Sequence, residues 1–580
     1  MAAAMAMFEE RRSKHTLLDD THPLTCVIES FENSQGHTLY ILRVQRGTDA
    51  SWTVSRRYSD FDSLHAYLQV SGVDLPFPPK KVFNKMNREF VAERQQKLQE
   101  YIDKVLSHPL LSVSVHVKRF LDPHNYSQNF RELALQHVSM LFRSEEQWEV
   151  VQPLPDIGWR LRKQYLLVKP KGESRERHML SWVPLGPDFY LSLKDLQSAL
   201  KIISSVQHPH IWPTSLCTVN ETGAVIIRNL SHEGSLRDVL CQVRPQECYL
   251  RKYCNPKEPH ALTREAIAKL GNQILHTLKM LHDRGFYHGH LHLSNVAVLA
   301  NGCALLDLEN QLLGLPCRLR PFIVTLKKVK TLEAIDVYSF GHLVYEMAFG
   351  GPCPTATCDS YPSSCPPELR SVLEALLTSE ACRNGLPTIA DLLLHPFFRN
   401  SVTTNGSTPK LSMKFPSQLR EALKTARELT ERRLLEDQKQ WRQKEKLLKA
   451  QALLGSEEER KKRAAELKKR RQQSGKQTPS SSQHASPTTP EDAPVTSPAS
   501  PPPPLFNPPP PPPPPPVFNP PPPPPPPPGG CPTSNGVASN GVPQQHAGGG
   551  DRQALLSSIT GFNKGALKSA VTKDCSKPKL

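Results

Sequence analysis

Between Leu262 and His282 the apolar residues recur at helical spacing. Leu262, Ile267, Leu270, Ile274, Leu278 and Leu281 share one face, and the pattern predicts a buried helix. Two short apolar runs, VAVLA and CALLDL, follow a polar stretch and meet at Asn301-Gly302, a dipeptide that tolerates the positive φ of a two-residue turn; a hairpin is predicted. Near the start of the chain the period changes from helical to alternating. TCVIESFE, HTLYILRVQR and SWTVSRRY, separated at Gly36 and Gly47, predict three strands of a small sheet. Two helical stretches come next, FDSLHAYLQV and FVAERQQKLQEYIDKVLSH, with the proline-rich VDLPFPPKKVFNKMN between them. Residues 415–473 are charge-dense and, from Leu419, free of proline, which predicts a long basic helix. Its leucines hold no clean 3.5-residue period, so the expectation is a solvated or irregularly paired helix rather than a regular coiled coil. Past Ser474 the composition collapses into Ser, Thr and Pro, and 28 of the 57 prolines lie between Pro479 and Pro532. No core is expected there.

A length of 580 residues with 38% hydrophobic content allows two or three folded domains plus tails. The net charge of +17 points to an acidic partner. The thirteen cysteines form no Cys-x-x-Cys pair, so reduced thiols are expected and no metal site. No apolar run reaches the roughly 18 residues needed to cross a bilayer. The opening MAAAMAMFEERR places an acidic pair where a signal peptide would extend its apolar core. The expected location is the cytoplasm, peripheral on endosomal or plasma membrane.

The polar stretch after the predicted helix, YHGHLHLSN, carries the first candidate chemistry. Helix, polar loop and hairpin, with HGHLHLSN followed by DLE, resemble the catalytic loop of protein kinases, in which His-Arg-Asp-Leu-Lys-x-x-Asn precedes Asp-Phe-Gly. HPHI at His208, DVYSFGHLVYEM at Asp336 and HPFF at His395 extend the resemblance, and a bilobal kinase-like domain over 150–400 is implied. By the same resemblance His290 stands at the position of the catalytic base, His292 at that of the loop lysine, Asn295 and Asp307 at the metal-binding positions, and Lys169 in YLLVK at the nucleotide lysine. Two working groups are replaced by imidazoles, Glu309 replaces a glycine, and PLPDIGWRLRKQ holds one glycine where a phosphate-cradling loop has three. A pseudokinase is the expected outcome, with no catalytic residue. The alternative is a non-standard serine/threonine kinase in which His290 acts as base while Lys169, Asn295 and Asp307 hold a nucleotide. ATP with magnesium is the one cofactor these remnants leave open.

Strands, helix, proline loop and helix over 14–126, with RRYSDF and LPFPPKK, resemble the phox-homology (PX) domain, a phosphoinositide-binding module. Guanidinium groups suit phosphates and a flat ring suits the face of an inositol. The resemblance implies Arg57 and Ser59 at the 3-phosphate of phosphatidylinositol 3-phosphate, Tyr58 beneath the ring, Lys80 (or Lys81) at the 1-phosphate and Arg94 at the ring hydroxyls. Phe77, Val82, Phe83 and Met86, flanked by Lys85 and Arg88, suit insertion among anionic headgroups.

Two nine-proline runs, Pro508–Pro516 and Pro520–Pro528, make polyproline II rods of the kind that profilin and SH3-type domains read; residues 474–547 are expected to be a disordered linker. Over 548–571, Leu555, Leu556 and Ile559 share one helical face ahead of Leu567-Lys568, which resembles the WASP-homology-2 actin-binding motif with a longer spacer before Leu567. KKRAAELKKRR suits anionic lipid or solvent better than nucleic acid. The fold class expected is multidomain α+β: a PX sheet with helices, a bilobal kinase-like domain, a long basic helix and a proline-rich tail. Its expected role is a membrane-recruited scaffold joining protein clients to actin.

Overall fold

The computed structural model describes residues 18–34, 36–47, 50–80, 88–172, 175–256, 260–399 and 414–474, with side chains as far as residue 451. The proline runs and the segment 548–571 lie outside the described residues. Strands β1 (Leu24–Ser34), β2 (His37–Arg46) and β3 (Ala50–Arg57) form an antiparallel sheet in that order. Alternation does the expected work: Cys26, Ile28, Tyr40, Leu42 and Val44 are buried on the face covered by the helices Tyr58–Leu68 and Arg88–Ser107. The open edge of β1 is capped by two glutamines of the second helix. Gln99 accepts from the Ile28 amide at 2.7 Å and donates to the Cys26 carbonyl at 3.0 Å, while Gln95 donates to the Ile28 carbonyl at 2.8 Å. Those bonds occupy groups that would otherwise template another strand.

The kinase-like part begins with a sheet of β4 (Trp148–Leu154), β5 (Gln164–Pro170), β6 (His178–Val183), β7 (Leu216–Asn220) and β8 (Gly223–Asn229), ordered β4-β5-β6-β8-β7 and antiparallel throughout. Both faces are covered. Ala224 and Ile226 pack with Leu196, Ala199 and Leu200 of the helix Leu193–Ser204, and Val225 and Ile227 pack with Ala134 and Val138 of the helix Phe130–Ser144. This is why β8 reads as an unbroken apolar run. None of the expectations above covers the helix Phe130–Ser144.

The predicted buried helix runs from Arg264 to His282 and is capped by Thr263, whose hydroxyl accepts from the Ala266 amide. It packs with the helix Leu332–Phe349, which is buried on nearly every side. The hairpin pairs β9 (Val296–Leu299) with β10 (Gly302–Leu305), so the two turn residues are Ala300-Asn301 rather than Asn301-Gly302. Gly302 is required for a different reason: a Cβ there would lie 2.2 Å from Oε1 of Gln273.

PX and kinase-like parts share one core, in which Leu68, Leu110 and Leu111 join Cys241, Tyr249, Leu250 and Tyr253. Arg162 pairs with Asp20 at 2.8 Å and Asn255 donates to the Gly72 carbonyl at 2.8 Å across the same junction. The long helix, Ser417–Ser474, buries one face along its first half, the irregular pairing allowed above rather than full solvation. Leu419 and Leu434 enter the kinase-like cores, and the buried Gln438 amide lies 2.7 to 3.1 Å from the carbonyls of Ile323, Leu326 and Val329. A stripe that includes Thr430 and Gln438 has no apolar period to read.

Candidate functional site

Strand β3 ends at Arg57, and Tyr58 opens the next helix; Arg57 and Ser59 are exposed on either side of the half-buried Tyr58. The Tyr58 hydroxyl donates to the Pro78 carbonyl at 2.7 Å, which ties the helix start to the proline loop that carries the exposed Lys80. Arg94 is buried, its guanidinium carbon 4.4 Å from the centre of the Tyr58 ring and 4.3 Å from that of Phe90. Thus Tyr58, Arg94 and the Pro78–Lys80 end of the loop come together, with Arg57 and Ser59 beside them. Lys81, Val82, Phe83, Lys85 and Met86 lie outside the described residues.

In the kinase-like part, the helix Leu332–Phe349 positions the catalytic-loop backbone through Asp336. This carboxylate accepts from the Gly289 amide at 2.7 Å and from the His288 amide at 2.9 Å, with His282 Nε2 also at 2.9 Å. His288 donates from Nε2 to the Leu306 carbonyl at 3.0 Å. Gly289 has φ of +68°, and a Cβ would meet Gln311 at 2.2 Å, so the loop admits no side chain there. The backbone frame of a catalytic loop is therefore built in full.

The side chains on that frame are spent internally. Asn295 donates to the His290 carbonyl at 2.5 Å and accepts from the His292 amide at 3.0 Å. His290 Nδ1 lies 3.0 Å from Nη2 of Arg160, and because a guanidinium only donates, that nitrogen holds its lone pair toward arginine. Burial, reinforced by Arg160, keeps the His290 imidazole well below its usual range; burial, with Arg318 and Arg160, does the same to His292. Both rings are neutral at pH 7.

Asp307 adopts left-handed backbone, φ +63°, and its Oδ1 lies 3.0 Å from Nζ of Lys163 and 3.3 Å from Nη1 of Arg228. Glu309, in the position of the kinase glycine, is buried and accepts from Arg228 Nη2 at 2.5 Å. Burial by itself would raise the Asp307 carboxyl, but the Lys163 and Arg228 charges outweigh it and hold the group below the usual carboxylate range. Two carboxylates thus face two cations belonging to the chain.

The expectation for Lys169 is corrected here. On β5 its amine pairs with Glu149 of neighbouring β4 at 2.5 Å, away from Asp307. The lysine that reaches Asp307 is Lys163, on the loop between β4 and β5, and β6 carries none. Asp195, the one acid between Asp188 and His208, caps its own helix with Ser192. Nor does the site fit magnesium and a nucleotide: the Asn295 oxygen is committed to the His292 amide, and Asp307 is shared between two cations. Kinases carry their activation segment between the metal-binding Asp and the following conserved helix. Here Gln438, the ion pair of Asp437 with Arg320 at 2.6 Å, and Glu431, which accepts from the Leu332 amide at 3.0 Å, bind that stretch to the long helix.

The comparisons agree with this architecture. Residues 45–124 match the PX domain, 191–306 the protein tyrosine and serine/threonine kinase domain, and 548–577 the WH2 motif. The chain is 48% identical over 450 residues, 77% of its length and 77% of the relative's, to the PX domain-containing protein kinase-like protein of Rattus norvegicus. The Mus musculus protein of that name matches with the same identity and coverage. The chain belongs to the PX domain-containing protein kinase-like family. A more distant relative is the probable inactive serine/threonine-protein kinase slob1 of Dictyostelium discoideum, 27% identical over 311 residues, 47% of this chain and 52% of that one. In this family member the kinase match starts at Leu191, after Arg160 and Lys163, and stops at Leu306, just before Asp307. Lys163, Asp307 and Glu309 of the ion cluster lie outside the match, and Arg228 lies inside it. Sequence reasoning missed Arg160, Lys163 and Arg228. The available signal was a charged residue interrupting AVIIRNL, since an arginine within a buried apolar strand needs a buried acid. Leu555, Leu556, Ile559, Leu567 and Lys568 fall in the WH2 match, outside the described residues. Among the described residues, no helix is long and apolar enough to cross a membrane.

Proposed function

We propose that this chain is a phosphoinositide-recruited pseudokinase scaffold that links endosomal or plasma membrane, and protein clients held by the kinase-like domain, to the actin machinery. The observation that carries this reading is the pairing of Asp307 and Glu309 with Lys163 and Arg228, which leaves a kinase frame whose acids are satisfied by the chain itself. The name of the Dictyostelium relative, a probable inactive kinase, is in keeping with it. In this scheme Arg57, Tyr58, Ser59, Lys80 and Arg94 meet the lipid headgroup, phosphatidylinositol 3-phosphate by family resemblance. Leu555, Leu556 and Ile559 enter a cleft of monomeric actin while Leu567-Lys568 runs on in extended form, and the polyproline rods offer themselves to profilin or SH3-type readers. Stable attachment of the PX part to the kinase-like part means that lipid capture sets the position of the client-binding surface.

Flotation with vesicles containing phosphatidylinositol 3-phosphate tests the membrane step. Arg57→Ala is expected to reduce binding by tenfold or more, since a lost charged contact to phosphate is worth about 1.5–3 kcal/mol. The exposed position of Arg57 makes loss of folding a poor explanation for such a result. Unchanged flotation of the variant would remove the pocket from the scheme.

A further inference from the structure

Successive residues of a strand face opposite ways, so Arg56 points away from the side on which Arg57 flanks Tyr58. On the Arg56 side a cleft of about 890 Å³ is lined by both the PX and the kinase-like parts. That volume is within the range of small-molecule sites. Five cations line it, Arg56 and Arg119 from the PX part and Arg131, Arg160 and Lys163 from beyond it, against a single carboxylate, Asp156.

These cations are not equivalent. Lys163 and Arg160 are committed to Asp307 and to His290 with the Pro316 carbonyl, and Arg56 to the Phe120 carbonyl, so they contribute field rather than contacts. Arg119 is exposed and uses Nε on the Tyr126 carbonyl, and Arg131 approaches Asp156 no closer than 3.9 Å. Beside them His116 stacks on Tyr67 with ring centres 4.0 Å apart and planes 18° from parallel, giving a flat wall.

Guanidinium forks and a flat wall suit a ring bearing several phosphates. We propose that this cleft binds a multiply phosphorylated small anion of the inositol polyphosphate class, which bridges the PX and kinase-like parts at a site separate from the lipid pocket. The ring can arrive free or as a lipid headgroup.

Calorimetry on the full chain with inositol hexakisphosphate, beside flotation with vesicles containing phosphatidylinositol 4,5-bisphosphate, separates the two sources. Hexakisphosphate is expected to bind the natural chain and Arg57→Ala alike. Because charge-assisted contacts to phosphate are lost and reversed, Arg119→Glu with Arg131→Glu is expected to weaken it by about tenfold or more, while the double Lys variant, which keeps the charge but not the fork, is expected to lose less than the double Glu variant. An unchanged unliganded melting temperature shows that the double Glu variant folds. Arg119→Gln, which removes one exposed charge, is expected to weaken binding severalfold and serves if the double Glu variant does not fold. A parallel loss of vesicle binding in the double Glu variant identifies the lipid headgroup as a source and supports the site. Absence of hexakisphosphate binding, or binding abolished by Arg57→Ala and unaffected by the double Glu and Arg119→Gln variants, overturns it.

Discussion

Replacing Arg320 by methionine is expected to lower folding stability by about 3–5 kcal/mol, the usual cost of removing one partner from a buried ion cluster. Arg320 is 6% exposed and pairs with three carboxylates from distant parts of the chain. Its Nε lies 3.1 Å from Asp19, Nη1 2.9 Å from Asp188 and Nη2 2.6 Å from Asp437. Asp19 precedes the PX sheet, Asp188 follows β6, and Asp437 belongs to the long helix. Arg433 adds a second cation at 2.7 Å from Asp188. Methionine fills comparable volume but leaves Asp19 and Asp437 without the charge that faces them. The loss should fall on the docking of the long helix, so urea unfolding followed alongside limited proteolysis is the informative pair: the midpoint drops and cleavage moves into residues 417–440. A variant with unchanged midpoint and cleavage pattern would show that the cluster contributes little.

Acidification is expected to destabilise the kinase-like part on a similar scale. His288, His290 and His292 are held below the ordinary imidazole range, by burial first in each case, and burial takes His342 to about 3. The folded values lie below the unfolded one, so the unfolded chain takes up protons first as pH falls. Stability is therefore complete above about pH 6.5 and declines below it toward the folded values, by about 1.4 kcal/mol per pH unit for each histidine kept neutral. His342, with its folded value at about 3, accounts for about 2 kcal/mol between pH 7 and pH 5, and the three loop histidines add to the loss in the same direction. Urea midpoints at the two pH values measure it, and His342→Leu should flatten the slope by one histidine's share. Equal midpoints at pH 7 and pH 5 would mean that these rings find protonated states the fold accommodates.

Much of the architecture was legible because the relevant patterns are apolar and periodic. Ile267, Ile274, Leu278 and Leu281 announce the buried helix, and alternation in HTLYILRVQR announces β2. The catalytic-loop frame could be placed because HGHLHLSN, with Asn295, and DVYSFGHLVYEM, with Asp336, resemble kinase segments in kinase order. What could not be read is polar burial. Lys169 and Lys163 are equally plausible in sequence, and only the path of the β4–β5 loop decides which amine meets Asp307. The docking of the long helix rests on Gln438 and on Asp437 with Arg320, residue types that a hydrophobic pattern assigns to solvent. The shared PX and kinase-like core was invisible for a further reason: Tyr249, Leu250 and Tyr253 sit on a five-residue helix too short to show a period.

Phosphate transfer by the full chain, with magnesium and ATP supplied, is the most direct measurement of whether the kinase frame has been turned to another use. With Asp307 and Glu309 satisfied by Lys163 and Arg228, and His290 facing Arg160, the expected result is transfer no greater than background and no magnesium-dependent nucleotide binding by calorimetry. Robust transfer by the natural chain, abolished by His290→Ala and by Asp307→Asn, would contradict it and would make the imidazole a working base.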